Sequence, residues 1–151
     1  LGTEMEPLRV RGFIDRVDRI GDRALVIDYK SGSSEISHDD MREGRHFQMM
    51  LYIMAAEQLL RDDPNLRGGV GGGMFWLLPK RKLSGVLEPS DADNAEVMDE
   101  ARAQAVAHIQ AGRRGDFSVQ PSKVEDGKCV RYCEFSRLCR FSSTNRRKVR
   151  G

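Results

Sequence analysis

The dipeptide Gly21-Asp22 constrains the geometry of this chain more than any other two residues. Before it lies Val10-Arg11-Gly12-Phe13-Ile14-Asp15-Arg16-Val17-Asp18-Arg19-Ile20, and after it Arg23-Ala24-Leu25-Val26-Ile27-Asp28-Tyr29-Lys30. Both runs read as strands, and glycine at the first central position suits a two-residue type II′ hairpin turn. Ile20 then pairs with Arg23, and counting outward sets Asp15 opposite Asp28. Side chains alternate along a strand, so Lys30 projects on the same face as Asp28. Like charges placed opposite each other destabilise a sheet. A divalent cation between them removes that repulsion. Phosphodiester hydrolysis needs a cation, a deprotonated water and a charge that stabilises the transition state. Asp15, Asp28 and Lys30 are parts for that chemistry. Mg²⁺ (or Mn²⁺) takes hard oxygen ligands, and the backbone carbonyl of Tyr29 offers one more. The competing reading is a surface hairpin whose aspartates pair with Arg16, Arg19 or Lys30. Spacing alone leaves both open.

At 151 residues the chain reads as one domain with a small appendage, long enough to bury a core. Its 25 basic and 23 acidic residues nearly cancel, so overall charge makes no case for nucleic acid. The end, Asn145-Arg146-Arg147-Lys148-Val149-Arg150, is locally basic, which a solvated terminus explains as well as a binding role does. No apolar run is long enough to span a bilayer and no signal-peptide pattern opens the chain. A cytoplasmic protein is the expectation. The chain starts at Leu1 without a methionine, and it reads as a piece of something longer.

After the hairpin, a polar loop is expected to about Arg42, then a helix from about Glu43 to Arg61, stopped by Asp62-Asp63-Pro64-Asn65. Phe47 to Ala56 is apolar on nearly every side, which predicts a helix buried within the fold. The run Gly68-Gly69-Val70-Gly71-Gly72-Gly73 lacks the Gly-Lys-Ser/Thr of a phosphate loop. It suits close backbone packing or a bulge at the entry to a third strand, Met74–Leu78. Pro79-Lys80-Arg81-Lys82 turns the chain into a fourth strand near Leu83–Glu88. Ser90-Asp91-Ala92-Asp93 can cap a second helix that runs to Ala111-Gly112.

Gln48 and Tyr52 stand four apart and share one face of the first helix. A glutamine inside an apolar helix must find partners or cost stability. It can meet a metal-bound water, a phosphate or the Lys30 strand, or simply nearby backbone. The three cysteines, Cys129, Cys133 and Cys139, cluster near the end, which argues against a disulfide framework. Their short spacings suit an iron–sulfur cluster or zinc, both usually with four ligands. The fourth would lie upstream of Leu1 or be a histidine such as His108 or His46. Three buried apolar cysteines are the alternative.

Three of these segments together resemble a known family. Gly12-Phe13-Ile14-Asp15-Arg16-Val17-Asp18 is similar to a G-x-x-D-R-x-D strand, and Ile27-Asp28-Tyr29-Lys30-Ser31-Gly32 to a D-Y-K-[ST]-G strand. Gln48-Met49-Met50-Leu51-Tyr52 is similar to a Q-x-x-x-Y helix. In this order the motifs are those of the RecB-like branch of the PD-(D/E)XK nuclease superfamily, which includes AddB nuclease domains and CRISPR-adaptation nucleases. The cysteine tail resembles the AddB-type tail, where three C-terminal cysteines join a distant fourth to hold [4Fe–4S]. The resemblance implies an α/β restriction-endonuclease-like core, a mixed sheet with a β-hairpin active site flanked by helices. It implies residues 1–126 as the nuclease core and 127–151 as the cysteine tail. The family's leading helix and fourth cysteine are missing from this chain, as a truncated piece would leave it.

The implied activity is Mg²⁺-dependent DNA cleavage, exonucleolytic more than endonucleolytic, in recombinational repair or beside a helicase subunit or domain. Asp15 and Asp28 match the metal carboxylates, Lys30 the catalytic lysine, and Gln48 and Tyr52 the third motif. Cys129, Cys133 and Cys139 match the cluster ligands. A second reading is a non-catalytic DNA-binding or scaffold domain, against which the complete set of Asp15, Asp28 and Lys30 speaks. A third, a zinc-binding interaction module, explains the cysteines but not the hairpin.

Overall fold

The turn at Gly21-Asp22 forms as its residues dictate. Gly21 takes φ 64°, the left-handed backbone that glycine adopts without steric cost. In the computed structural model, which describes residues 10–117, 124–125 and 128–129, the turn joins β1 (Arg16–Ile20) to β2 (Arg23–Lys30). Ile20 faces Arg23, and the antiparallel ladder runs back through Val17↔Val26 to Arg16↔Ile27. The register is the one counted from the turn. β1 is shorter than the run beginning at Val10, however: residues 10–14 are not in a strand. Asp15 lies one step beyond the last pair, and its side chain explains the ending. Asp15 Oδ2 accepts the Tyr29 backbone N–H at 3.0 Å, taking the donor that a continuing ladder would use.

The expected loop and single helix become two helices. Ser37 caps α1 (His38–Arg42) through a reciprocal pair, its hydroxyl accepting from Asp40 N while the Asp40 carboxylate accepts from Ser37 N. Those Ser37 donors, backbone N–H and hydroxyl, pull the Asp40 pKa down to about 2. Gly44, at φ 75°, then breaks the helical path, so α2 starts only at Gln48 and runs to Leu59. α2 is also less buried than its composition suggests. Met49, Met50, Ile53 and Ala56 are covered, while Met54 and Leu59 are exposed. A helix lying on a sheet hides one stripe and leaves the other in solvent.

β3 (Val70–Leu77) runs parallel to β2, with Asp28 beside Phe75 and Lys30 beside Leu77. β4 (Lys82–Leu87) returns antiparallel, giving a mixed sheet of order β1-β2-β3-β4. The glycine run enters β3 itself. It carries a register shift against β2, and at Gly73 it permits close approach by α2. A Cβ on Gly73 would overlap Met49 Sδ and press on Ile53 Cγ1 at 3.2 Å. α3 (Ala92–Arg113) starts where Asp91 Oδ1 accepts from Asn94 N, as the Ser90–Asp93 signal predicts. Val26, Met41, Met49, Met50, Ile53, Phe75, Leu87, Val97 and Ala101 form the core beneath one face of the sheet. Among the described residues, no helix is long and apolar enough to cross a membrane.

The chain divides into two compact units, residues 1–104 and 105–151. The second contains the end of α3 and a two-stranded hairpin, β5 (Val124–Glu125) with β6 (Lys128–Cys129).

Gly73→Ala should lower stability by about 1–3 kcal/mol, the usual cost of overpacking a well-filled core. Denaturant unfolding reads it, and trimming the neighbour in a Gly73→Ala, Met49→Ala double variant should make the two losses less than additive. An unchanged Gly73→Ala midpoint would contradict this packing.

Candidate active site

Strand alternation and the register together put Ala24, Val26, Asp28 and Lys30 of β2 on the face that α2 covers. For the first two this is ordinary core burial. For Asp28 it is costly, because its side chain is only 3% exposed and a desolvated charge must find compensation inside the protein. Compensation is incomplete. Lys30 Nζ lies 2.7 Å from Asp28 Oδ2 as an ion pair, outside hydrogen-bond geometry. Oδ2 is left with a neighbouring positive charge and no hydrogen-bond donor among the described residues.

Lys30 is held from several sides. Its ammonium donates to Gln48 Oε1, and Gln48 Nε2 donates onward to Tyr52 Oη at 2.8 Å. The i, i+4 spacing that puts Gln48 and Tyr52 on one face of α2 therefore links them directly. Nζ also stands 5.0 Å from the centroid of the Phe75 ring, a cation–π distance. The His46 ring tilts against Phe75 at 6.5 Å. Gln48 is the first residue of α2, so the helix delivers its amide at the end of β2 where Lys30 emerges.

Asp15 is exposed, at the entrance to β1, and tied to the same strand by the Tyr29 N–H bond. On the other face of the hairpin, Arg16 grips both Asp18 oxygens at 2.7 Å and donates through Nη1 to Tyr29 Oη at 2.8 Å. The Asp18 bond and the Tyr29 hydroxyl raise the Arg16 pKa, and Arg16 in turn lowers that of Asp18. Exposed ion pairs of this kind add little stability. Their effect is positional: Tyr29 is fixed by its hydroxyl to Arg16 and by its amide to Asp15.

The structure thus brings Asp28, Lys30, Gln48 and Tyr52 into one connected chain of contacts, with Asp15 attached through Tyr29. Cys133 and Cys139 lie outside the described residues, and of Cys129 only the backbone of β6 is described. His108 lies on α3.

A sequence profile of the PD-(D/E)XK nuclease superfamily matches residues 1–140. The chain belongs to that superfamily. Its mixed four-stranded sheet with flanking helices is the restriction-endonuclease-like α/β core expected of a PD-(D/E)XK nuclease. One stretch of 55 residues is 42% identical to a subunit of an ATP-dependent helicase/deoxyribonuclease from Alkaliphilus metalliredigens (strain QYMF). That match spans 33% of this chain and 5% of the relative's length. No solved structure matches at a significant level.

The donor set of this PD-(D/E)XK hairpin fits a hard divalent cation. Asp28 Oδ2 is buried and lacks a donor, the Asp15 carboxylate is tethered to the next residue, and the Tyr29 carbonyl is a further oxygen. Among the described residues no group of three or more His, Cys, Asp or Glu side chains forms a metal cage. Two carboxylates and a carbonyl instead suit an ion that keeps several of its waters, as Mg²⁺ does.

Two residues of this surrounding are not legible in the sequence. Phe75, beneath the Lys30 ammonium, reads there only as strand core, because its neighbour is set by the parallel pairing of β2 with β3. Arg16 reads only as a charge partner, and its bond to Tyr29 requires knowing which face each occupies.

Removing Lys30 should leave the buried Asp28 carboxylate uncompensated. In metal-free protein, a double-mutant cycle of Lys30→Met with Asp28→Asn should give a coupling of about 1–3 kcal/mol, with Lys30→Met alone the more damaging single change. Additive single effects in denaturant unfolding would show that the two groups are not paired.

Proposed function

We propose that this PD-(D/E)XK chain is the nuclease part of a larger DNA-processing protein, cleaving DNA phosphodiester bonds with Mg²⁺ or Mn²⁺. The observation that carries the reading is the buried Asp28 oxygen without a hydrogen-bond donor, beside a lysine, with a second carboxylate tethered to the N–H of the next residue, Tyr29. Asp15 and Asp28, with the Tyr29 carbonyl, would hold the cation. It would neutralise charge at the scissile phosphate and make water a better nucleophile at neutral pH. Lys30 orients the attacking water and offsets the negative charge that grows on the phosphate. Gln48 holds the Lys30 ammonium in place through Oε1, and Tyr52 holds the Gln48 amide the right way round. Preorganisation of this kind keeps a flexible lysine where charge develops instead of leaving it to sample solvent.

Similarity to part of a helicase/deoxyribonuclease supports DNA as substrate and a helicase subunit or domain as partner. Cytoplasmic repair as setting, and exonucleolytic over endonucleolytic action, belong to the same proposal. The nuclease core would occupy residues 1–126. The tail, 127–151, would hold [4Fe–4S] through Cys129, Cys133 and Cys139, with a fourth ligand elsewhere in the longer protein; this part rests on the cysteine spacing. Iron and sulfide in anaerobically prepared intact protein would support the cluster, and zinc without iron would replace it with a zinc site.

Lys30→Ala in the intact protein should slow DNA cleavage by about 10²–10³-fold. Mg²⁺ should still raise its melting temperature, because the cation takes over the compensation of Asp28, and Asp28→Asn should lose both cleavage and the Mg²⁺ effect. Normal cleavage by Lys30→Ala would remove the lysine from the mechanism.

A further inference from the structure

The end of β2 that carries Asp28 and Lys30 is also the end at which β3 finishes, since the two strands are parallel. Ligands of α/β sheets gather at carboxyl ends of strands. Immediately beyond lies the turn into β4, Leu78-Pro79-Lys80-Arg81, followed by Lys82 at the start of that strand. The turn is bonded to the active strand: Leu78 N–H donates to the Lys30 carbonyl at 3.0 Å, and Arg81 N–H closes back onto Leu78 O at 3.4 Å. Arg81 is therefore linked to the Lys30 backbone through two successive hydrogen bonds at Leu78.

Three cations project from this short exposed segment. Two share a counter-ion: Lys80 and Lys82 lie 3.2 and 3.1 Å from the two oxygens of Glu35. Arg81 has no ion pair among the described residues, and it is exposed. Its backbone makes it unusual. At φ 49° it is the one non-glycine residue with positive φ among those described. Glycine or asparagine fills such a position at lower steric cost than an arginine. Strain retained at a site beside the catalytic strand points to a use for the side chain.

We propose that Arg81 is a phosphate-binding residue that grips the DNA backbone beside the cleavage site, with the Lys80 and Lys82 pair adding to the local positive field. The inference rests on the nuclease reading above and adds to it the surface along which the strand runs. A guanidinium suits a phosphate because its planar fork can donate two parallel hydrogen bonds. The closed turn fixes its backbone, so only the side chain is left to order on contact. The contact is to phosphate, so it positions the strand without reading sequence.

The test uses the intact protein and a labelled DNA oligonucleotide, with EDTA present so that no cleavage intervenes. R81G and R81N both remove the charge and both suit a left-handed backbone. Their melting temperatures should equal or exceed that of the wild type, while DNA binding weakens several-fold. The slope of log affinity against log salt should become shallower by about 0.9, the release expected for one lost phosphate contact. R81K, which keeps the charge, should keep the slope. Wild-type affinity and slope in R81G and R81N would overturn the proposal, as would a fall in melting temperature that accounts for the weaker binding. A wild-type protein that binds DNA in EDTA but shows no change on losing Arg81 refutes this inference alone. One that neither binds nor cleaves DNA refutes the nuclease reading beneath it.

Discussion

The burial of a single carboxylate organises this molecule. Asp28 sits on the covered face of β2 in a row with Ala24 and Val26, two residues that belong there on hydrophobic grounds. The same alternation that buries them buries Asp28, and nothing in the sheet lets it escape. The neighbouring strand offers Phe75 at that level, which cannot hydrogen-bond. What remains is Lys30, two residues on and on the same face, with its ammonium 2.7 Å away. The surrounding polar contacts hold that lysine: Gln48 accepts a hydrogen bond from it, Tyr52 orients Gln48, and the Phe75 ring faces the cation. A buried charge pair so incompletely satisfied is poor evidence of a stabilising device. On the function proposed above, that oxygen is where the divalent cation would sit.

The fold serves this arrangement through two placements. α2 begins at Gln48 because Gly44 ends the preceding helical turn and the chain must re-enter at the mouth of the sheet. α2 then lies so close on β3 that Gly73 has no room for a Cβ, and this close seating lets the helix bring Gln48 to Lys30. The hairpin contributes the second placement. Asp15 leaves the ladder and binds the Tyr29 amide, and so ties a solvent-facing carboxylate to the residue that follows the buried one. One acid is dry and one is wet, and the lysine stands between bulk water and the core.

The hairpin is legible in the sequence because a two-residue glycine turn fixes register by counting, and register fixes face. Gln48 and Tyr52 are legible because helical spacing puts them on one face and because a glutamine in an apolar helix demands a partner. The length of β1 is not, since a side chain replacing a backbone acceptor leaves no trace in hydrophobic pattern. Neither is α1: the Ser37–Asp40 capping box is readable in principle, but the polar segment around it has the composition of a loop. The parallel pairing of β2 with β3 cannot be counted from any turn, so sequence alone does not assign Phe75 to the site. The positive φ of Arg81 is likewise invisible, because the sequence names the residue and not its backbone.

The proposed cation seat at Asp28 Oδ2 can be checked by crystallographic localisation of Mn²⁺ through its anomalous scattering. Crystals of the intact protein equilibrated with Mn²⁺ should show a peak about 2 Å from Asp28 Oδ2, with the Asp15 carboxylate and the Tyr29 carbonyl completing its protein ligands. Lys30 should then have drawn off Asp28 while keeping its bond to Gln48. No peak at saturating Mn²⁺, with the Asp28–Lys30 pair still closed, would contradict a cation seat at Asp28.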